Sequence, residues 1–258
     1  MEIAICLPAY APMKAGPAHQ MEQVSQLLCG EPVLLLENVG EWSLVETEHQ
    51  YRAYVRTAHL KPVNLQKLES YHGFGASGLR AANSLFASIP AFHWEEPGVK
   101  FSDPSQSEAE GFSFGLHIAD AAKQFLNVPY VWGGKTPFGL DCSGLVQLVL
   151  NLSGFSFPRD AWQQAEKGEE LALPVAGRQA EPGDLLFFKR PGNRIHHVAI
   201  SLGGDRYIHA SEWVRINSLS HEDPDFAEER LQTLCMVKKI RPANLQALKL
   251  SIAGMAIA

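Results

Sequence analysis

Residues 129–150 read PYVWGGKTPFGLDCSGLVQLVL, a glycine-marked loop that runs into a helix start with a cysteine at the junction. Gly133, Gly134 and Gly139 mark tight turns, where the missing Cβ removes the steric penalty. Asp141 stands where a helix N-cap belongs, just before the periodic apolar positions Leu145, Val146, Leu148 and Val149. Cys142 therefore falls in the first turn, where unpaired N–H groups and the positive end of the helix dipole converge. That setting lowers a thiol pKa and favours the nucleophilic thiolate. The competing reading is a small buried cysteine that only packs.

Downstream histidines weigh against simple packing. His196 and His197 open the apolar run HHVAISL, Gly203-Gly204 signal a turn, and Arg206–Ser211 form a second run, a pattern that predicts a β-hairpin. Alternation places His197, Ala199 and Ser201 on one face, and His196 on the other as a bystander. A three-residue loop over Gly203-Gly204-Asp205 pairs Leu202 with Arg206 and His209 with Ala199. His209 then lies diagonal to His197 on the same face, about 7–8 Å away. A two-residue loop would turn His209 to the opposite face. The chemistry selects the longer loop: a thiol, a histidine base and a second histidine to orient it make a nucleophile–base–orienter set.

The ordered segments PYVWGG, DCSGLVQ, PGDLLFF, HHVAISLG and YIHAS resemble the NlpC-type cell-wall cysteine peptidases, a papain-like group. The resemblance covers residues 113–242. It implies an α+β papain-like domain with Cys142 as nucleophile, His197 as base and His209 as orienter. It also implies a second oxyanion donor in the hydroxyl of Tyr130, beside the Cys142 backbone N–H; the bland alternative for Tyr130 is an amphipathic core residue. The resembling enzymes act on peptidoglycan peptides, commonly between D-γ-glutamate and a diamino acid. There the residues matching Asp141 and Ser143 help hold the free amino terminus of the substrate, which Asp141 can do while also capping the helix.

Residues 1–63 carry short β-prone runs with turn signals between them: EIAICL, VSQLLCGEPVLLLENVG, EWSLVETEH and YRAYVRTAHL. Runs at this spacing predict a small barrel, and their order is similar to a bacterial SH3-like domain. In enzymes that pair such a domain with an NlpC-type domain, it supplies a glutamate and a tyrosine to the amine pocket. Glu22 and Tyr51 are the matching positions, with Glu31 as the alternative glutamate. Against this, Glu22 can be a solvated surface charge and Tyr51 a barrel-core residue. Residues 64–112 read as a connector, with helical spacing in LQKLESY and SGLRAANSLFASI, then a polar Pro/Gly/Ser-rich stretch. Its GFGASG lacks the strand and helix context of a nucleotide loop. Residues 243–258 read as a tail packed on the surface.

In the catalytic half, LHIADAAKQFL predicts a helix ending at Val128-Pro129. Pro182 and Gly183 predict a turn before the buried strand Leu185–Phe188, with Asp184 capping it rather than acting as an acid.

The 258 residues are 46% hydrophobic and 19% charged, enough for one large or two smaller domains. A net charge of −6 argues against nucleic acid or an anionic surface as partner. Cys6, Cys29, Cys142 and Cys235 are widely spaced without a CxxC, so neither a disulfide framework nor a metal site is expected, and no cofactor. The start, MEIAICLPAYAPM, lacks a basic segment and is broken by Pro8 and Pro12, which leads to an expectation of a cytoplasmic protein. No apolar run is long enough to span a bilayer. The expected partner is a murein peptide, L-Ala-γ-D-Glu-diamino acid. An amidase or acyltransferase of the same superfamily and a noncatalytic wall-binding module are the other readings.

Overall fold

The structure, a computed structural model, describes residues 2–63, 113–172, 180–190, 192 and 194–247. The expectations for residues 64–112 and for the tail beyond 247 lie outside the described residues. The chain forms two compact units.

The described part of the first unit is residues 2–63 together with Trp132–Gly134. Seven strands build one antiparallel sheet: β1 (Glu2–Cys6), β2 (Tyr10–Lys14), β3 (Gln23–Leu28), β4 (Pro32–Val39), β5 (Trp42–Glu46), β6 (Arg52–Arg56) and β7 (Leu60–Val63). Their spatial order is β3-β2-β6-β5-β4-β1-β7. Alternating residues from six of the strands, among them Ala4, Ala11, Leu27, Val33, Val45 and Val55, are fully buried in one core. Strand β2 was not among the runs expected to form strands. Pro12 sits opposite Gln26 of β3, while β2 meets β6 only at Lys14↔Tyr54, so a residue without an N–H costs little ladder. Gly133, with φ of 72°, belongs to this unit; a Cβ there would come within 2.6 Å of the Gln23 carbonyl oxygen.

The second unit is α+β. Helix α1 (Phe114–Lys123) leads to two short strands, β8 (Lys135–Thr136) and β9 (Gly139–Leu140), and then to helix α2 (Cys142–Leu152). Strand β10 (Phe155–Ser156), helix α3 (Ala161–Gln164) and β11 (Glu169–Leu171) follow, then β12 (Leu185–Lys189), β13 (Ile195–Gly203), β14 (Arg206–Ser211) and β15 (Trp213–Ser218). Helix α4 (Glu228–Thr233), β16 (Leu234–Lys239) and β17 (Gln246–Ala247) close the described chain. Six strands form an antiparallel sheet in the order β11-β16-β12-β13-β14-β15, and β17 pairs with β10. Helix α2 is buried over nine of its eleven residues and packs on β13, as expected for a layered papain-like domain.

Helix α1 stops at Lys123, short of the predicted end at Val128. The chain turns through Asn127 at φ of 69° and passes to β15, where Asn127 N–H donates to Val214 O and Val214 N–H to Val128 O, at 2.8 and 2.7 Å. Backbone pairing with the sheet edge replaces the last helical turn. The Pro182-Gly183 turn forms as predicted. Asp184 caps it, accepting from Glu181 N–H at 2.9 Å. Burial raises its carboxyl pKa to about 6.

Candidate active site

Cys142 is the first residue of α2, and Asp141 is its N-cap, accepting from Gly144 N–H at 2.7 Å. The thiol is buried, and its sulfur lies against the backbone N–H groups of Val198 and Ser143. Val198 directly follows His197, so Cys142 meets β13 at the residue beside the candidate base. The Tyr130 phenol interacts electrostatically with both Cys142 and Asp141. Tyr130 is anchored by its own N–H, which donates to Glu212 O at 2.9 Å, and by a bridge to Leu140. Burial, and to a smaller extent the acidic groups of Cys142 and Asp141, push its pKa up, so the phenol stays a proton donor.

His197 and His209 meet as the hairpin register requires. Their rings lie edge to face with centroids 5.0 Å apart, and His197 Nε2 is 2.7 Å from His209 Nδ1. The pairs Ile200↔Ile208 and Ser201↔Tyr207 belong to the expected register, but the turn is tighter than expected. Gly203, not Leu202, pairs with Arg206, and the irregularity at Leu202 restores the face. Gly203 and Gly204 both take positive φ, 93° and 65°, which explains the double glycine. His196 falls in the same strand with its Nδ1 buried and without a hydrogen-bond partner. It does not join the histidine pair.

Two residues that sequence reasoning passed over complete the site. Asn217 on β15 stands with its Oδ1 2.9 Å from His209 Nε2. It was missed because the β14–β15 hairpin turns on Glu212 alone, at φ of 66°, with no glycine to announce it. Arg159 forms a buried bidentate pair with Asp141, Nη1 to Oδ1 at 3.0 Å and Nη2 to Oδ2 at 2.5 Å. It also donates to Ser143 Oγ at 2.9 Å, and Ser143 donates to Asp141 Oδ1 at 3.3 Å. Asp141 and Ser143 thus lie together as expected, but the Asp141 charge is already matched by a guanidinium.

The charge states differ from the expectation for a helix-start cysteine. Burial, with a smaller contribution from Asp141, pushes the Cys142 thiol up to about 11, and the neighbouring amides and Arg159 offset only part of this. Burial and His209 hold His197 well below its ordinary value, and burial takes His209 to about 4. Burial therefore opposes ionisation of both Cys142 and His197, against the pull expected from the helix start. Desolvation outweighs the helix dipole because both groups are closed off from water.

The remaining candidates lie in the first unit. Glu22 is exposed, and its carbonyl accepts from Ala15 N–H. The Tyr51 ring packs against the barrel core and its hydroxyl donates to Val24 O at 3.4 Å. Glu31 accepts from Leu28 N–H at 2.9 Å, closing the β3–β4 turn. Chemically, a thiol, a neutral imidazole base, a phenol donor and a helix-start N–H suit attack on a carbonyl carbon.

The model of the NlpC/P60 family matches residues 127–232, and that of the bacterial dipeptidyl-peptidase SH3 domain matches residues 14–60. Among curated proteins, the gamma-D-glutamyl-L-lysine dipeptidyl-peptidase of Bacillus subtilis (strain 168) is 41% identical over 215 residues, 72% of this chain and 71% of that one. Protein P54 of Enterococcus faecium is 42% identical over 117 residues, 44% of this chain; the match spans 22% of that protein's length. Among solved structures, an NlpC/P60 endopeptidase from Photobacterium damselae subsp. piscicida shares the fold at a TM-score of 0.58. Its identity is 14%, covering 91% of this chain and 70% of that one.

Proposed function

This chain belongs to the NlpC/P60 family of cysteine peptidases and carries the bacterial dipeptidyl-peptidase SH3 domain, and from that premise we propose that it hydrolyses the γ-D-glutamyl–L-diamino acid bond of released murein peptides with a free N-terminal L-Ala. The observation that supports this most is the assembly of Cys142, His197, His209 and Tyr130 in one unit. The pairing with this SH3 domain, and a 41% identical relative that bears the name of this activity, support the substrate class.

His197 takes the Cys142 proton as sulfur attacks the γ-carbonyl carbon. The tetrahedral oxyanion accepts from the Cys142 N–H and the Tyr130 hydroxyl. Collapse expels the amine of the diamino acid, protonated by His197, and leaves a thioester. Water, deprotonated by His197, then releases the acyl dipeptide and restores the thiol. Burial opposes a resting ion pair, which favours transfer of the proton from sulfur to imidazole as attack proceeds.

The substrate's ammonium group needs hydrogen-bond acceptors and negative charge. Asp141 and Ser143 supply acceptors. Arg159 offsets the Asp141 charge, so the net negative charge has to come from a further carboxylate. The candidates in the SH3 domain are Glu22 for that role and Tyr51 as a hydroxyl partner, to be examined by substitution. All four cysteines are thiols, which suits a reducing compartment and supports the proposed cytoplasmic role in peptide recycling.

The test compares L-Ala-γ-D-Glu-L-Lys, its diaminopimelate counterpart and the N-acetylated forms, in wild type and in Glu22→Gln. The expected result is rapid cleavage of the free peptides, a drop of at least roughly 100-fold in kcat/KM on acetylation, and a smaller penalty in Glu22→Gln. Equal kcat/KM on free and acetylated peptides removes the amine requirement. Cleavage of neither removes the substrate assignment.

A further inference from the structure

Three neighbouring strands each present one polar group in a line: His197 from β13, His209 from β14 and Asn217 from β15. The line ends on a group whose role is fixed. Asn217 Nδ2 is 2.8 Å from the backbone carbonyl of Asp225, which can only accept. The amide orientation follows: Nδ2 faces Asp225, and Oδ1 faces His209 Nε2 at 2.9 Å. The flipped amide would set two acceptor oxygens against each other. Since Oδ1 only accepts, His209 Nε2 carries the hydrogen. In the neutral ring its Nδ1 is then bare, and it accepts from His197 Nε2–H across 2.7 Å. The one nitrogen of His197 left with a lone pair is Nδ1.

We propose that Asn217 is a positioning residue that selects the productive tautomer of both histidines, through a chain that starts at the Asp225 carbonyl and ends at His197 Nδ1 as the general base. This rests on the reading of Cys142 and His197 as nucleophile and base. The alternative chain is chemically complete and unproductive. With its hydrogen on Nδ1, His209 would donate to His197 Nε2. The hydrogen of His197 would then sit on Nδ1, and the ring could not receive the Cys142 proton. A histidine orienter, unlike a carboxylate, can hold its partner in either sense, so it needs a further group to choose. The sheet register supplies one: His209 pairs with Arg215, which places Asn217 diagonally on the His209 face. Burial of the pair keeps water from substituting, since His209 is 1% and His197 5% exposed.

Wild-type protein with 15N-labelled histidine tests this directly. Long-range 1H–15N correlation at neutral pH should show His197 with a bare Nδ1 and a protonated Nε2, and the same pattern in His209. The opposite pattern in either ring overturns the proposal, and this reading requires no variant to fold. Two substitutions add a kinetic arm. Asn217→Leu removes the acceptor; kcat should fall roughly 10–100-fold with KM little changed, and the imidazole signals should show mixed tautomers. Asn217→Asp keeps an acceptor for His209 Nε2–H while losing the donor to Asp225. It should recover most of the lost kcat and move the acid limb of the pH profile to higher pH, because the added carboxylate favours imidazolium. Equal losses in the Leu and Asp variants, with wild-type tautomers in both, reduce Asn217 to a structural residue. Loss of peptide cleavage in Cys142→Ala, measured alongside, checks the underlying assignment independently of the tautomer signals.

Discussion

Removing the guanidinium from Arg159 strands a carboxylate at the shoulder of the nucleophile. The Asp141 and Arg159 side chains are 8% and 4% exposed and share two contacts of 3.0 and 2.5 Å. Breaking a buried pair from one side costs about 3–5 kcal/mol, because the surviving charge is left desolvated. Arg159→Met should therefore destabilise the second unit by about 4 kcal/mol. At a urea m-value near 2 kcal/mol/M, that lowers the unfolding midpoint by roughly 2 M. The double variant Asp141→Asn, Arg159→Met should recover most of the loss. Its amide oxygen still caps α2 toward Gly144 N–H, and no charge is stranded. The same pair acts on Cys142, since Asp141 raises the thiol pKa and Arg159 lowers it. The single variant should therefore move the iodoacetamide rate profile of Cys142 to higher pH, and the double variant should move it to lower pH than wild type. Urea unfolding by circular dichroism and pH-dependent alkylation read the two effects. A midpoint unchanged within about 0.2 M in Arg159→Met, or no recovery in the double variant, refutes the reasoning.

Other consequences follow from the same structure. His209 carries a pKa of about 4 against an ordinary 6.5, so its neutral form is favoured in the fold. At about 1.36 kcal/mol per pH unit, roughly 3 kcal/mol of stability present above pH 6.5 should be lost as pH falls toward 4, and His209→Asn should flatten that slope in pH-dependent urea melts. Arg230 stacks over Phe188, which flanks His197, and its charge disfavours both imidazolium ions. Arg230→Gln should move the acid limb of kcat/KM to higher pH, and an unmoved limb would show that the cation is screened. Gly183 has φ of 83°, and a Cβ there would lie 2.5 Å from Gly115 Cα, so Gly183→Ala should cost at least ~2 kcal/mol by thermal unfolding. Because burial raises the Cys142 pKa to about 11, its alkylation should be slow at pH 7 and rise steeply in alkali. A flat, fast rate at neutral pH would restore the thiolate reading.

The sequence made the parts of the site legible wherever local signals have one physical reading. The N-cap at Asp141, the glycines of the β13–β14 turn and the alternation around His197 and His209 each constrain the backbone directly. The side-chain pairing of the two histidines follows from that backbone. Arg159 and Asn217 were not legible for the opposite reason. Arg159 reaches Asp141 across eighteen residues, and no periodicity encodes that approach. Asn217 sits beyond a hairpin that turns on Glu212 with positive φ, where the usual glycine signal is absent. The opposing pull of desolvation on Cys142 was not legible, because helix position is written in the sequence and burial is not. In the first unit, β2 was not among the expected strands, and only the pairing pattern shows that the missing N–H of Pro12 is tolerated there.

The central claim is that Cys142 attacks the γ-D-glutamyl carbonyl, with His197 as base. The most direct measurement is intact-protein mass spectrometry after rapid acid quench of enzyme mixed with L-Ala-γ-D-Glu-L-Lys, followed by peptide mapping. A transient adduct of one L-Ala-γ-D-Glu acyl group is expected on the peptide containing Cys142, absent in Cys142→Ala, with free lysine released at the same time. Steady release of lysine by Cys142→Ala, or an adduct on Cys6, Cys29 or Cys235 instead, would contradict it.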